Sequence, residues 1–295
     1  MVLNGGHSGK EIAEGRGNPI ITLGKLLSVL EKEGNIYLNS IEGGASPNSI
    51  PRDAKCVITI ENELDADELA KLLDKLNNSL RIKYHNDNIL VEIEKVDNPD
   101  LALDSEATSN VIRYLDLADL LQREMLKTMQ PTGQIIRQAP AFSSNLSQVW
   151  TEDNGTVCLR RSTRSNTVPA ILKVFLEDLT KREEQLGFVT VDGLDLPGYS
   201  QDRKSEFSKY LISNYKETLG REPILGEEHF GIEIPYFRKQ NPDLEAVSIS
   251  PNIENPHSPN ERVSVSSISR MWEYVQAIIR GLNKEHNIEP VQEGR

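Results

Sequence analysis

With 295 residues the chain has room for two domains with ordinary cores. Its 33 Lys+Arg are scattered among 45 Asp+Glu, for a net charge of -12, which argues against nucleic acid as a main partner. No run approaches the roughly 18 to 20 apolar residues of a membrane span, and no basic segment leads into an apolar one at the N-terminus, so a soluble chain without a membrane partner is expected.

The chain opens on Gly5-Gly6-His7-Ser8-Gly9, a loop whose glycines allow positive φ and close approach to the backbone. It feeds a helix: Ile20, Ile21, Leu23, Leu26, Leu27 and Leu30 recur at helical spacing between Asn18-Pro19 and Gly34, with an Asn cap and a Pro in the first turn. A helix N-terminus attracts anions, but these glycines fit neither the phosphate loop nor the dinucleotide fingerprint. Strands are expected at 36–41 and 55–60, a helix with Leu64, Leu69, Leu72, Leu73 and Leu76 on one face, and a third strand at 89–93. This order predicts an α/β sandwich without its first strand.

A helix from Ser105 through Leu121, a strand near 133–138, and two strands flanking Glu152-Asp153-Asn154-Gly155 continue the rhythm; Asn-Gly between apolar runs is a strong hairpin signal. Cys56 and Cys158 each lie in an apolar strand-like run and outside any Cys-x-x-Cys pair. They read as small core residues in a reducing compartment, not as a disulfide framework or a thiolate zinc site. A helix at 168–185 and a strand at 188–192 follow, and Pro197-Gly198 marks a domain boundary.

Beyond it, Phe207, Tyr210, Leu211, Tyr215 and Leu219 form an amphipathic helix stopped by Gly220, and a short strand or loop is expected at 223–228. A strand is expected at 244–250. The closing helix carries Ile268, Met271, Trp272, Val275, Ile278, Ile279 and Leu282, capped by Ser266 or Ser267. Two helices and two strands are too few to cover two faces, so this segment reads as part of a larger α/β domain. Between strand and closing helix lies Asn255-Pro256-His257-Ser258-Pro259-Asn260-Glu261. Prolines stiffen such a loop and push the residues before them toward extended geometry. His257 therefore reads either as a rigidly presented ligand or as an ordinary histidine of a Pro-rich surface loop.

Several separated motifs agree in order and spacing over nearly the whole chain. They are Gly5-Gly6-His7-Ser8-Gly9-Lys10-Glu11-Ile12 with Gly15-Arg16-Gly17-Asn18; Asn48-Ser49-Ile50-Pro51-Arg52-Asp53-Ala54; Cys158-Leu159-Arg160-Arg161-Ser162; His229-Phe230-Gly231-Ile232-Glu233; and Pro256-His257-Ser258-Pro259-Asn260-Glu261. Together they resemble the Xaa-His dipeptidases, the carnosine-cleaving type of co-catalytic zinc exopeptidase. The resemblance implies an α/β chain in two parts: an α+β lid and dimerisation-type domain at residues 1–197 lacking its first strand, then at 198–291 the C-terminal part of a zinc-exopeptidase catalytic domain. Residues 292–295 are a tail.

By the same resemblance, His257 is a zinc ligand, His7 stabilises the oxyanion across a homodimer, and Arg161 holds the substrate carboxylate with its planar fork. His229 and Gly231 lie near the substrate, although His229 reads equally as a structural histidine at a strand end. The complete enzyme takes two Zn2+ per site and a dipeptide substrate, and works in the cytoplasm. The family's His-x-Asp motif, bridging aspartate and Glu-Glu pair have no counterpart here, so zinc is not expected to bind tightly to this chain alone. The acidic pairs Glu227-Glu228 and Glu183-Glu184 read as solvated surface, as do His85 and His286. Ile234-Pro235 and Asn260 depart from the family pattern, which bears on the pocket backbone and on support of His257. The alternative is a non-catalytic remnant or interaction module that keeps the lid fold.

Overall fold

The structure, a computed structural model, describes residues 1–286 except 10, 62–65, 86–88, 98–100, 128–136, 139–141, 166–168, 192–203, 228–232 and 258–259. Two compact units divide the chain. The first comprises Met1–Pro131, Gln138–Gly198 and Glu227–Gly231; the second comprises Thr132–Arg137, Tyr199–Gly226 and Ile232–Arg295.

In the first unit, strand β1 (Gly6–His7) and a 3-10 turn (Glu11–Glu14) lead into helix α1 (Pro19–Glu33). Asn18 caps α1, its Oδ1 accepting from the amides of Ile20 and Ile21, and its Nδ2 donates to the Leu146 carbonyl at 2.7 Å. The remaining elements are β2 (Ile36–Gly43), β3 (Ser49–Ile50), β4 (Ala54–Ile60), α2 (Ala66–Tyr84), α3 (Ser105–Lys127), β5 (Arg137–Gln138, of which only Gln138 belongs to this unit), β6 (Phe142–Thr151), β7 (Val157–Ser165) and α4 (Pro169–Gln185). Strands β4-β2-β6-β7 form one antiparallel sheet in that order, and β1 pairs with β3, Gly6 opposite Ile50. Helices α1 and α3 pack on each other and on the sheet. Between them lies a core of Ile20, Leu27, Leu38, Ile41, Ile112, Leu115 and Leu146.

Two bulges set which side chains enter that core. Register slips between Leu38 and Ser40 on β2 and between Leu146 and Gln148 on β6. A bulge shifts the two-residue alternation by one, so Leu38 and Ile41, and likewise Leu146 and Val149, are three apart yet all buried. The hairpin at 152–155 forms as expected, with Gly155 at φ +85 and the Glu152 amide donating to the Thr156 carbonyl at 2.8 Å. Cys56 is half-buried, and burial pushes its thiol up to about 12, which suits an inert residue. Cys158 departs from the core reading: its Sγ lies 3.8 Å from Glu152 Oε1, on the face of β7 opposite to Leu159, because adjacent strand residues point to opposite faces.

Two strands expected in the first unit do not form among the described residues. Residues 89–93 make only the isolated bridge of Val2 with Leu90; their backbone is satisfied instead by α2, where Asn77 Oδ1 accepts from the Val91 amide at 2.7 Å, Asn77 Nδ2 donates to the Val91 carbonyl at 3.0 Å and Arg81 Nε donates to the Ile89 carbonyl at 3.1 Å. The described part of 188–192 turns back on α4, the Phe188 amide donating to the Glu183 carbonyl at 3.0 Å.

In the second unit, α5 (Glu206–Leu219) is capped by Ser205 and closed by Gly220 in the left-handed region. Strand β8 (Gly226–Glu227), helix α6 (Ile234–Gln240), β9 (Ile253–Glu254), β10 (Arg262–Val263) and α7 (Val265–His286) follow. Helices α5 and α7 pack together through buried Leu211 and Tyr274, with Tyr274 Oη donating to the Leu211 carbonyl at 2.8 Å. The expected strand at 244–250 does not form: those residues pair with no strand among the described residues, and Ile249 is 42% exposed. Helix α7 starts one turn's edge earlier than expected, at Val265. Ser267 is inside it, and its Oγ instead accepts from the Asn252 amide at 2.9 Å.

Candidate functional site

His7 is buried at the end of β1. Its Nδ1 accepts from the Gly9 amide at 3.0 Å, so in the neutral ring Nδ1 carries no proton and Nε2 does. The amide of His7 donates to Glu11 Oε2 at 2.7 Å. Glu11 is itself buried and ion-paired to Arg16, which also donates to the Gly5 carbonyl at 3.1 Å. Gly6 sits at φ +149, and a Cβ there would meet Glu11 Oε2 at 2.5 Å; the glycine lets the carboxylate lie against the loop backbone. Ser8 Oγ donates to the Asn48 carbonyl at 2.7 Å, and Asn145 Nδ2 donates to the Ser49 carbonyl at 2.7 Å. The loop is thus fixed from β1, β3 and β6 together.

Three arginines on β7 are separated by strand alternation. Arg161 lies opposite Leu146 and shares the core face with Leu159 and Val157, which pack against the buried cluster. Its Nη1 donates to Tyr114 Oη of α3 at 3.2 Å and is ion-paired with Glu183 Oε1 of α4. Glu183 also accepts from Tyr114 Oη at 3.1 Å and from Thr190 Oγ1 at 2.8 Å. Burial pushes the Tyr114 phenol up, with Arg161 opposing and Glu183 adding to the rise. Arg160 and Arg164 point to the other face. Arg160 lies over the Trp150 ring at 5.6 Å and donates to Gln148 Oε1 at 3.0 Å. Arg164 Nη2 donates to Ser8 Oγ at 3.2 Å, beside His7, and burial pulls its guanidinium below the ordinary range.

The reading of Glu183 as solvated surface is therefore corrected: it is 3% exposed and holds three donors. The signal was present in its spacing. Leu179, fully buried, is four residues earlier and so on the same helix face, but the flanking Lys181-Arg182 and Glu184 made the run look like a charged exterior.

His257 is exposed in the loop of the β9–β10 hairpin, its amide donating to Glu261 Oε2 at 3.3 Å. Asn255 and His257 adopt positive φ, +49 and +60, so this loop turns through left-handed geometry rather than the extended geometry expected of residues near prolines; Asn tolerates that region. His229 and Gly231 lie outside the described residues. Among the described residues no group of three or more His, Cys, Asp or Glu could hold a metal ion. A catalytic zinc needs about three protein ligands, so the residues described do not fit such a centre.

Residues 3–88 match the peptidase dimerisation domain family, M20_dimer. The fold matches the crystal structure of an aminoacylhistidine dipeptidase from Vibrio alginolyticus, with a TM-score of 0.73 and 24% identity, over 95% of this chain and 55% of that one. Against the cytosol non-specific dipeptidase of Escherichia coli (strain K12) the chain is 29% identical over 286 residues, 94% of this chain and 56% of the relative. Residues 3–88 are thus similar to a peptidase dimerisation domain, and the chain shares the fold of the aminoacylhistidine dipeptidase. Nearly the whole chain is similar to a dipeptidase, in agreement with the resemblance its motifs carry. It spans about half the length of the relatives it matches. No helix among the described residues is long and apolar enough to cross a membrane.

Proposed function

We propose that this chain is part of a metallodipeptidase of the Xaa-His type, with residues 1–197 as its lid and 198–291 as the C-terminal part of its catalytic domain. The likeness to a dipeptidase along nearly the whole chain carries this reading. In the complete enzyme, zinc would activate water for attack on the dipeptide carbonyl, and His257 is the residue of this chain that would contribute a ligand. One exposed imidazole is not by itself a zinc site.

What this chain's own residues offer is clearer at His7. An oxyanion requires a preorganised N–H donor, and the Gly9 amide at Nδ1 places the proton of the neutral His7 ring on Nε2, the atom that would serve that task. His7 would act across a homodimer, consistent with the dimerisation-domain match, and Arg161, His229 and Gly231 would face the substrate. The cytosolic Escherichia coli relative supports a cytoplasmic setting for the proposed enzyme. The coding sequence upstream of Met1 tests the reading: a segment bearing a His-x-Asp motif and a Glu-Glu pair is expected in frame or in a neighbouring frame. Intact, unrelated sequence there would contradict it. The second reading, a non-catalytic module, is favoured by one observation, the engagement of Arg161 by Glu183.

A further inference from the structure

We propose that Glu11 is a positioning residue: together with Arg16 it holds the backbone at Gly6-His7, so that the His7 ring meets the Gly9 amide and keeps its Nε2–H in one place for an oxyanion. The proposal rests on the reading that His7 supplies that donor.

The loop alone would hold the ring loosely. Three of its five residues, Gly5, Gly6 and Gly9, are glycines, which give a backbone wide freedom. A donor for an oxyanion has to be in place before the charge develops, and a misplacement of about 1 Å can cost about a hundredfold in rate.

Glu11 and Arg16 remove this freedom at one point. Arg16 Nη1 donates to the Gly5 carbonyl at 3.1 Å, Arg16 Nη2 is ion-paired with Glu11 Oε1, and Glu11 Oε2 accepts from the His7 amide at 2.7 Å. The Gly5 carbonyl and the His7 amide belong to the two peptide planes that flank Gly6, so this side-chain bridge sets both torsions of Gly6. It sets them at φ +149, a value suited to glycine, and the missing Cβ is what admits Oε2. With the second plane held, the Cα–Cβ bond of His7 has one direction, and the Gly9 amide, 3.0 Å from Nδ1, fixes the ring about it. Glu11 is 3% exposed. A carboxylate so covered needs its charge partner, and its bond to an amide is of the strong, charge-assisted kind. Glu11 thus acts on the ring through the backbone of His7.

The ring position can be read directly by NMR on the full 295-residue chain, as the nitrogen–nitrogen coupling across the hydrogen bond from the Gly9 amide to His7 Nδ1. The coupling is expected in the wild type, is lost in Glu11→Ala while the Gly6–Ile50 pairing of β1 with β3 persists, and is retained in Glu11→Gln, which keeps an acceptor oxygen for the His7 amide. A coupling that survives in Glu11→Ala would overturn the proposal, as would its absence from the wild type, its loss in Glu11→Gln, or its loss in Glu11→Ala only together with the Gly6–Ile50 pairing, the mark of a merely structural role. If Glu11→Ala lacks the dispersed spectrum of a folded chain, Glu11→Asp decides instead: it withdraws the carboxylate by one methylene and must lose the coupling, and an undiminished coupling overturns the proposal equally. In a complete enzyme that hydrolyses dipeptides, Glu11→Ala lowers kcat about a hundredfold with KM little changed; an unchanged kcat would contradict the positioning role. Failure of the dipeptidase reading would show separately, as no hydrolysis by a complete enzyme in which the coupling is intact.

Discussion

At His7, a backbone amide decides the chemistry of a side chain. The bond from Gly9 to Nδ1 requires that nitrogen to be unprotonated, so nitrogen-15 shifts of the His7 ring should report the Nε2–H tautomer at neutral pH. A doubly protonated ring or the Nδ1–H form would contradict the geometry. Sequence could point to His7 through the glycines around it, but not to its tautomer, which depends on a donor placed by folding. The same holds for Glu183 and Arg164. Each is a charged residue in a polar stretch, and only the packing of α4 onto Tyr114 and of the loop onto β7 reveals that one is a buried counter-ion and the other a neighbour of Ser8.

Among the elements, α1 was the most legible, because its cap, its periodic apolar face and its ending all lie in local sequence. Its start also reaches beyond itself, since Asn18 joins the helix to the Leu146 carbonyl of β6. Asn18→Ala removes both the cap and that link and should lower stability by about 2 kcal/mol, measured by denaturant unfolding; a loss no larger than that of an exposed surface substitution would show that the link contributes nothing. The strands expected at 89–93 and 244–250 show the limit of pattern reading. Apolar residues in a row establish that a segment is extended and partly covered, while strand identity needs a neighbouring backbone. At 89–93 the Asn77 side chain takes that neighbour's place. The bulges at Leu38/Ser40 and Leu146/Gln148 were equally hidden, because an extra residue looks like imperfect alternation until the partner strand is in view.

For the molecule as a whole, ordered motifs carried more than any one element. The glycine loop, the Asn48–Ala54 stretch and the β7 arginines are far apart in sequence, and in the first unit the loop is bonded to both of the others. The family likeness was legible before the fold from the order and spacing of the motifs alone. His257 belongs to the second unit, and among the described residues no group of three or more His, Cys, Asp or Glu could hold a metal ion. In the proposed reading this chain would supply part of a dipeptidase site, and polypeptide corresponding to the part of the relatives that it does not span would supply the remaining ligands. The most direct measurement is hydrolysis of a histidine-containing dipeptide with added zinc, by the purified chain alone and after it has bound the unspanned portion of the Escherichia coli relative, association being verified by size-exclusion chromatography. The predicted result is no hydrolysis by the chain alone and chelator-sensitive hydrolysis by the associated pair. Chelator-sensitive hydrolysis by the chain alone, or none by a pair shown to associate, would contradict the account.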